Sequence, residues 1–272
     1  ARVAAHYGNP DLLKAILDGL EQAGGNPEAL SLEDLAPVDA FHTAGRIATV
    51  KALAMTPITA GMHVLDAGSG IGGTARRLAL KHGCRVTGID LTPDYVAVAR
   101  ALTERTGQAD ACTFHQGTVL DMPFADDAFD AVVSFHVAMN IEDRAGLYGE
   151  IARVLRRGSS FCLYDVMKGP TPGMPYPVPW ADMEANSILK TEEETCDLLR
   201  QAGFTMVDRA SFRDLAIDFF HKNVAGSDRQ KTVRPLGLHL LTGLDTRQKF
   251  ANYAQALDQH RADPVVIVAR LG

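Results

Sequence analysis

HVLDAGSGIGG, at residues 63–73, is the stretch of this chain that decides its fold. Gly68, Gly70 and Gly73 have the G-x-G-x-x-G spacing of a loop that leaves a buried strand and opens a helix. Glycines at these positions let a ligand approach the backbone, and the helix points its first N–H groups at that ligand. Loops of this kind hold adenosine-containing cofactors. The glycines do not specify which cofactor, so the rest of the chain has to decide.

Short apolar runs alternate with amphipathic helical patterns around this loop. The first run, MHVLDA at residues 62–67, is typical of a strand buried on both faces of a parallel sheet. The alternation of strands with helices predicts an α/β fold with a doubly wound sheet. Further strands are predicted at residues 84–90, 111–116, 129–137, 160–166, 204–212 and 263–271.

Helical patterns fill the segments that the sheet does not use. Before the first strand, helices are predicted to start at Asn9 and near Ser31, and a third to run from about Phe41 to Met55. Another begins at a capping box formed by Thr191 and Glu194, and the segment before the last strand is mainly helical. We therefore predict an N-terminal helical cover over residues 1–60, a core over 61–212 and 263–272, and a helical insertion over 213–262.

The composition argues against several classes of partner. The 272 residues carry a formal net charge of -6, which disfavours a surface built for nucleic acid. No apolar run reaches the ~18 residues of a membrane helix, and the first residues lack the pattern of a signal peptide. The four cysteines are far apart, which predicts reduced thiols and no zinc site. We expect a cytoplasmic protein without a metal, nucleic-acid or membrane partner, and its oligomeric state stays open.

Two carboxylates discriminate between the candidate cofactors. Asp66 lies two residues before Gly68, where it would repel the pyrophosphate of a dinucleotide but attract an ammonium or sulfonium group. Asp90 ends the second strand, 22 residues after Gly68, where an acid accepts hydrogen bonds from ribose hydroxyls of either cofactor. Asp66 thus favours S-adenosylmethionine over NAD. The alternatives are that Asp66 is a cap and that Asp90 only forms the turn before Thr92.

Four ordered motifs resemble the class I S-adenosylmethionine-dependent methyltransferases. They are VLDAGSGIGG at 64–73, VTGID at 86–90, QGTVLDMPFADDAFDAVVS at 116–134 and IARVLRRGSSF at 151–161. The resemblance implies a Rossmann-like, mostly parallel seven-stranded sheet, with S-adenosylmethionine as cofactor and S-adenosylhomocysteine as its product. Within the class, the chain is most similar to the small-molecule branch that includes sarcosine/dimethylglycine and ubiquinone-biosynthesis methyltransferases.

The resemblance also implies a set of cofactor contacts. Asp66 would face the amino group of the methionine part, and Asp90 would hold the ribose. Many relatives carry an aspartate at the position of Thr118, so the Thr118 hydroxyl or the Val119 backbone has to contact the adenine here. His42 and Arg46 would close the methionine end, unless they belong to an ordinary amphipathic helix. The complete set is Asp66, Gly68, Ser69, Gly70, Asp90, Leu91, Thr118, Val119, Ser134, Phe135, His42 and Arg46.

The acceptor is expected at the carboxyl ends of strands four and five, because ligands of open α/β sheets bind there. His136 would accept a proton or position the substrate, and Asp165 would attract a cation or orient His136. A core histidine and a structural cap are the alternatives. Tyr176 and Trp180 stand in the proline-rich segment 168–180 and would form an aromatic wall. The expected substrate residues are Asn140, Tyr176, Trp180 and His221, and the expected catalytic residues are His136 and Asp165.

These residues predict S-adenosylmethionine-dependent methyl transfer to a small molecule, with an amine nitrogen as the first choice of acceptor. The amine follows from the resemblance and from an aromatic pocket that also contains an acid. Methylation of carbon or oxygen in a secondary metabolite or a quinol-like compound is the alternative. A further alternative of a different class is a scaffold that binds S-adenosylmethionine without transferring the methyl group.

Overall fold

A computed structural model describes residues 9–227, 235–242 and 245–272 of the chain. Parts of the predicted cover (1–8) and of the predicted insertion (228–234 and 243–244) therefore lie outside the described residues. The seven strands are β1 His63–Ala67, β2 Arg85–Asp90, β3 Cys112–Gln116, β4 Phe129–Phe135, β5 Leu155–Lys168, β6 Phe204–Ser211 and β7 Ala262–Leu271.

One sheet contains all seven strands in the order β3-β2-β1-β4-β5-β7-β6. The pairs from β3 through β5 are parallel, and β7 is antiparallel to both β5 and β6. The predicted fold class is thereby confirmed. The strand order reverses between β1 and β4, which opens a crevice at the carboxyl ends of these two strands.

Helices cover both faces of the sheet and continue beyond it at two places. In the described part of the chain, the helices of four or more residues are α1 Leu12–Gln22, α2 Leu32–Leu35, α3 Gly45–Met55, α4 Gly73–His82, α5 Pro93–Arg105, α6 Arg144–Val154, α7 Glu192–Gln201, α8 Arg213–Ser227, α9 His239–Thr242 and α10 Thr246–Asp258. The predicted capping box of Thr191 with Glu194 is present, and the predicted start near Ser31 is a second capping box, formed with Asp34. Helices α1 to α3 precede the sheet, and α8 to α10 lie between β6 and β7.

The structure corrects three predicted boundaries. Helix α1 has Asp11 as its N-cap, while the Asn9 side chain accepts a hydrogen bond from the Asp11 amide instead. Helix α3 begins at Gly45, because Ala44 has a positive φ of 58° that stops a helix from starting at Phe41. Strand β5 runs from Leu155, which pairs with Phe129 on β4, to Lys168, which pairs with Ala262 on β7.

The core lies on the two faces of the sheet. One buried cluster joins β4, β5 and β7 to α6 and α7, and a second joins β1, β2 and β4 to α3, α4 and α5. All four cysteines are free and buried. Among the described helices, none combines the length and the apolar character needed to cross a bilayer.

Candidate active site

A cavity of about 460 Å³ opens at the carboxyl ends of β1, β2 and β4. Its walls come from the segment between α2 and α3, the glycine loop, the loops after β2, β3 and β4, the proline-rich segment, and the helices between β6 and β7. Most of the residues predicted for the site line it. These are His42, Asp66, Gly68, Ser69, Gly70, Asp90, Leu91, Thr118, Val119, Phe135, His136, Asn140 and Trp180.

The glycine loop leaves β1 at one end of this cavity. Gly68 has a φ of 84°, and a Cβ atom there would overlap with the side chain of Val137. The amides of Gly68 and Ser69 both donate to the carbonyl of Ile89, at 2.8 and 3.0 Å, which fixes the loop against β2. A larger residue at position 68 would therefore push β4 and the loop apart.

Asp90 holds this loop in place. One carboxylate oxygen accepts from the Gly70 amide at 2.8 Å, and the other accepts from the Thr92 amide at 2.8 Å. A carboxylate has about four acceptor sites, so Asp90 keeps capacity for a ligand hydroxyl at the cavity wall. The turn-forming alternative and the predicted ribose contact are thus compatible at this residue.

Asp66 is a buried carboxylate that is only partly stabilised, by the Ala75 backbone and by the charge of Arg76. Its side chain is 2% exposed, and within the described residues its Oδ2 atom has no hydrogen-bond partner. Burial, and then the nearby charge of Asp90, raise the pKa of Asp66 to about 7. The hydroxyl of Ser69 beside it is also buried and without a partner in the same part of the chain. A cationic ligand with N–H donors would satisfy both groups, as the methionine part of S-adenosylmethionine does.

Two histidines meet at the opposite side of the cavity. His42 and His136 have ring centroids 5.8 Å apart, and both rings pack near Tyr164. Burial lowers the pKa of His42 to about 4. Burial, and then the neighbouring His42, place the pKa of His136 well below its usual value. Both rings are therefore neutral at neutral pH.

Thr43 joins the surrounding elements. Its amide donates to Nε2 of His136 at 3.4 Å, and its carbonyl accepts from the Tyr164 hydroxyl at 2.8 Å. Its own hydroxyl lies 2.8 Å from the hydroxyl of Tyr253 on α10. One residue of the predicted cover thus contacts β4, β5 and the predicted insertion.

Apolar and aromatic side chains form the rest of the wall. Trp180 is 3% exposed and donates its indole N–H to Ser187 at 2.9 Å, and its ring packs edge-on against Tyr253 with centroids 5.0 Å apart. Phe220 also contacts Tyr253, at 5.4 Å between centroids. The other apolar residues of this wall are Met139, Ile141, Phe219, Leu238, Leu241 and Phe250.

Five predicted site residues lie outside the cavity. Arg46 is half-exposed and contacts Glu33 on α2, because it lies on the outer face of α3. Ser134 is fully buried and donates to the Ala67 carbonyl at 2.9 Å, so it joins β4 to β1. Tyr176 does not line the cavity, although it belongs to the same proline-rich segment as Trp180. His221 is exposed on the outer face of α8, near Asp258.

Asp165 is the fifth predicted site residue that lies outside the cavity. It is 1% exposed, accepts from the Val166 amide at 3.0 Å, and lies 3.8 Å from the guanidinium of Arg144. Burial raises the pKa of Asp165 to about 6, against the opposing charge of Arg144. Strand alternation turns this side chain to the sheet face that α6 covers, away from the cavity. The predicted catalytic contact is not made in this structure.

The structure adds residues that sequence reasoning missed. Asp39 lines the cavity and forms an ion pair with the fully buried Arg76, and the two positions are far apart in sequence with no motif to join them. Phe250 and Tyr253 also line the cavity, and the sequence analysis did not predict them. Their spacing of three residues on a predicted helix placed them on one face, which was a usable signal. Among the described residues, no cluster of His, Cys, Asp and Glu is arranged to hold a metal ion.

Comparison with known proteins agrees with this geometry. Residues 65–163 match the family described as methyltransferase domain. The O-methyltransferase resE of Aspergillus sclerotiorum is 31% identical over 157 residues, which are 57% of this chain and 60% of the relative. The sterol 24-C-methyltransferase ERG6B of Gibberella zeae is 39% identical over 108 residues, which are 40% of this chain and 28% of the relative. The chain thus spans less than two thirds of either relative.

A solved structure shares the fold. The phosphoethanolamine N-methyltransferase 2 of Haemonchus contortus, in complex with S-adenosyl-L-methionine, matches with a TM-score of 0.72 and 18% identity. The match covers 94% of this chain and 56% of that one. The fold and the glycine-loop site define an α/β domain for an adenosine cofactor. Residues 65–163 carry a methyltransferase domain, and the chain is similar to O-methyltransferases and sterol C-methyltransferases. The cofactor and the enzyme class predicted from the sequence are confirmed for this domain.

Proposed function

We propose that the chain transfers the methyl group of S-adenosylmethionine to a hydroxyl oxygen of a mainly apolar small molecule. The observation that carries this proposal is the pair of neutral histidines, His42 and His136, on the wall of a mainly apolar cavity. A hydroxyl becomes a good nucleophile as it loses its proton, and a neutral imidazole accepts that proton. An amine needs only its neutral form, so it has less use for such a pair.

The residues at the glycine loop fit the cofactor. Asp66 and Ser69 supply buried acceptors that lack partners in the described chain, and Asp90 keeps free acceptor capacity. Leu91 and Val119 give apolar contact for a flat ring on the same wall. Bound S-adenosylmethionine would supply a methyl group on a positively charged sulfur, which is a good leaving group. The protein then has to align the acceptor and exclude water.

The helices between β6 and β7 support exclusion of water. Phe219, Phe220, Phe250 and Tyr253 cover the cavity from that side, and Trp180 closes it from the proline-rich segment. Apolar walls lower the local dielectric constant, and they bind an acceptor through buried apolar contact area rather than through charge. We therefore expect the acceptor to be neutral and to bury most of its surface.

The amine acceptor stays a prediction. Its support was the family resemblance together with an aromatic pocket that contains an acid, and the acid Asp165 does not line the cavity. The exposed Glu142 at the rim is a carboxylate that a cationic amine would meet instead. Methylation of carbon, and cofactor binding without transfer, are the remaining alternatives, while the cytoplasmic location and the oligomeric state also stay predictions.

The test is release of S-adenosylhomocysteine with a panel of acceptors. The panel contains phenol, catechol, a hydroquinone, glycine, sarcosine, dimethylglycine and simple amines, and calorimetry with S-adenosylmethionine is run in parallel. We expect cofactor binding and release with the hydroxyl compounds. Release with the amines alone would replace the oxygen acceptor with nitrogen. Cofactor binding without release for any compound would favour the scaffold that does not transfer.

A further inference from the structure

His42 and His136 differ in which ring nitrogen the protein uses. Nε2 of His42 lies 2.7 Å from the hydroxyl oxygen of Thr49, and that hydroxyl donates its proton to the carbonyl of Gly45 at 3.4 Å. The His42 ring also forms a hydrogen bond with the Gly45 backbone, so we take Nε2, the nitrogen next to Thr49, to carry the proton. Nδ1 of His42 is left with its lone pair.

His136 has the opposite arrangement. The Thr43 amide can only donate, and it points at Nε2 of His136 at 3.4 Å. Nε2 is therefore the acceptor, and the proton of the neutral ring lies on Nδ1. The ring is held in this orientation because the His136 amide donates to the Tyr164 carbonyl at 2.7 Å and the two rings pack 4.8 Å apart.

In the described chain, Nε2 makes the contacts of the two rings with Thr49 and Thr43, the His42 ring also bonds to the Gly45 backbone, and both rings line the cavity. The cavity thus offers one lone pair and one N–H donor from neighbouring rings. An acceptor with one hydroxyl satisfies only one of them. A molecule with two oxygens on adjacent positions satisfies both.

We propose that His42 and His136 form a two-point site for an acceptor that carries a hydroxyl next to a second oxygen, as in catechols and 2-hydroxyaryl ketones. This inference rests on the proposed function and names the substrate class of the same cavity. His42 Nδ1 takes the proton of the hydroxyl that is methylated. His136 Nδ1 donates a hydrogen bond to the neighbouring oxygen and positions the substrate.

The step balances in atoms and charge. The acceptor oxygen forms a bond to the methyl carbon as the bond from that carbon to sulfur breaks, and sulfur keeps the electron pair. The hydroxyl proton moves to His42. One positive charge, on sulfur, disappears while another appears on the imidazole, so the net charge of the cavity does not change. This offsets the burial that otherwise disfavours a charged His42.

The first experiment measures the histidine tautomers by long-range ¹H–¹⁵N NMR of the full chain. His42→Gln and His136→Gln assign the two signals, and His82→Gln, on α4 outside the cavity, is the matched control. We expect the Nε2–H form for His42 and the Nδ1–H form for His136. Identical tautomers on both rings would overturn the two-point site, whether or not any acceptor is methylated.

The second experiment separates the two roles with catechol and phenol. Added catechol should shift the Nδ1 signals of both histidines, and phenol should shift that of His42 alone. In turnover, His42→Gln should lower kcat about 100-fold or more with both compounds, which is the scale of acid–base catalysis. His136→Gln should raise KM for catechol about tenfold more than it raises KM for phenol. Equal effects of His136→Gln on both compounds would contradict the proposal. A wild-type enzyme that methylates neither would contradict the proposed function, and the tautomers and the NMR shifts would still decide the two-point site.

Discussion

The hydroxyl oxygens of Thr43 and Tyr253 lie 2.8 Å apart, and they join residues 210 positions apart in the chain. Both side chains are buried, with exposures of 5% and 2%. This bond connects the segment before α3 to α10 across the cavity. It is the most direct link between the two helical parts that flank the site.

We expect a double-mutant cycle with Thr43→Val and Tyr253→Phe to give a coupling of about 1 kcal/mol, the usual net value of a buried hydrogen bond. Each single variant leaves one hydroxyl buried without this partner and should lower the free energy of unfolding by about 1–2 kcal/mol. Urea unfolding of the four proteins measures both quantities. Losses that simply add would show that the two hydroxyls do not interact.

Asp66 should make the stability depend on pH. Its pKa in the folded protein, about 7, is above its ordinary value of 3.8, so the folded protein holds the proton more tightly than the unfolded chain. The ionised Asp66 carboxylate therefore does not destabilise the folded state below about pH 4. Its destabilising effect grows between pH 4 and 7 and is complete above pH 7. Without the cofactor, Asp66→Asn should raise the free energy of unfolding by on the order of 2–4 kcal/mol at pH 8. It should change little at pH 4.5. Urea unfolding at both pH values measures this free energy, with Asp121→Asn as the control. Equal changes in the two variants would refute the prediction.

The same carboxyl should couple cofactor binding to a proton. A cation beside Asp66 favours its ionised form, so binding of S-adenosylmethionine near pH 7 should release part of a proton. The affinity should fall as the pH drops below about 7. Calorimetry in two buffers of different ionisation enthalpy detects the proton. A binding enthalpy that is independent of the buffer would show that Asp66 does not meet the cofactor's charge.

Gly68→Ala should prevent cofactor binding through a clash rather than through backbone strain alone. A Cβ atom at Gly68 would overlap with Val137, while one at Gly61, which has the same φ of 84°, would meet nothing within 4 Å. Both variants carry the strain of a positive φ, on the order of 1 kcal/mol. Only Gly68→Ala should cost a further 1–3 kcal/mol of stability, the range for overpacking, and abolish S-adenosylmethionine binding. Equal effects of the two substitutions on stability and binding would contradict this.

Arg144→Met should destabilise the fold through Asp165. Both side chains are almost fully buried, and removal of the arginine leaves a carboxyl without its opposite charge. We expect a loss of about 3–5 kcal/mol in the free energy of unfolding, the range for a broken buried ion pair. Arg200→Met, which removes an exposed pair with Asp197, should cost less than about 1 kcal/mol. Similar losses in thermal or urea unfolding would show that Asp165 does not depend on Arg144.

The sheet could be predicted because its information is local. Each strand of the core is a short apolar run. The capping box of Thr191 with Glu194 likewise marks the start of a helix within four residues. The loop carrying Gly68 and Gly70 could be predicted for the same reason, since its spacing is set by a single turn. Boundaries that depend on pairing, such as the long β5, were less accurate because β7 is distant in sequence.

The acceptor side could be predicted only in part. Side chains such as His136 and Asn140 follow β4, and the topology alone brings them to the cavity. Asp165 ends up on the other face because one residue of register along β5 decides which face a side chain takes. The contact of Thr43 with Tyr253 depends on how two helical segments pack, and no local pattern specifies it.

The most direct test uses S-adenosylmethionine with a ¹³C-labelled methyl group, incubated with the full chain and catechol, and NMR of the product to locate the label. The account predicts a labelled methyl group on a catechol oxygen, and loss of that signal with Asp66→Asn or His42→Gln. A label on a ring carbon, or transfer only when an amine replaces catechol, would contradict the assignment of oxygen as the acceptor. If the protein binds the cofactor but methylates no compound of the panel, the proposed methyl transfer itself is contradicted.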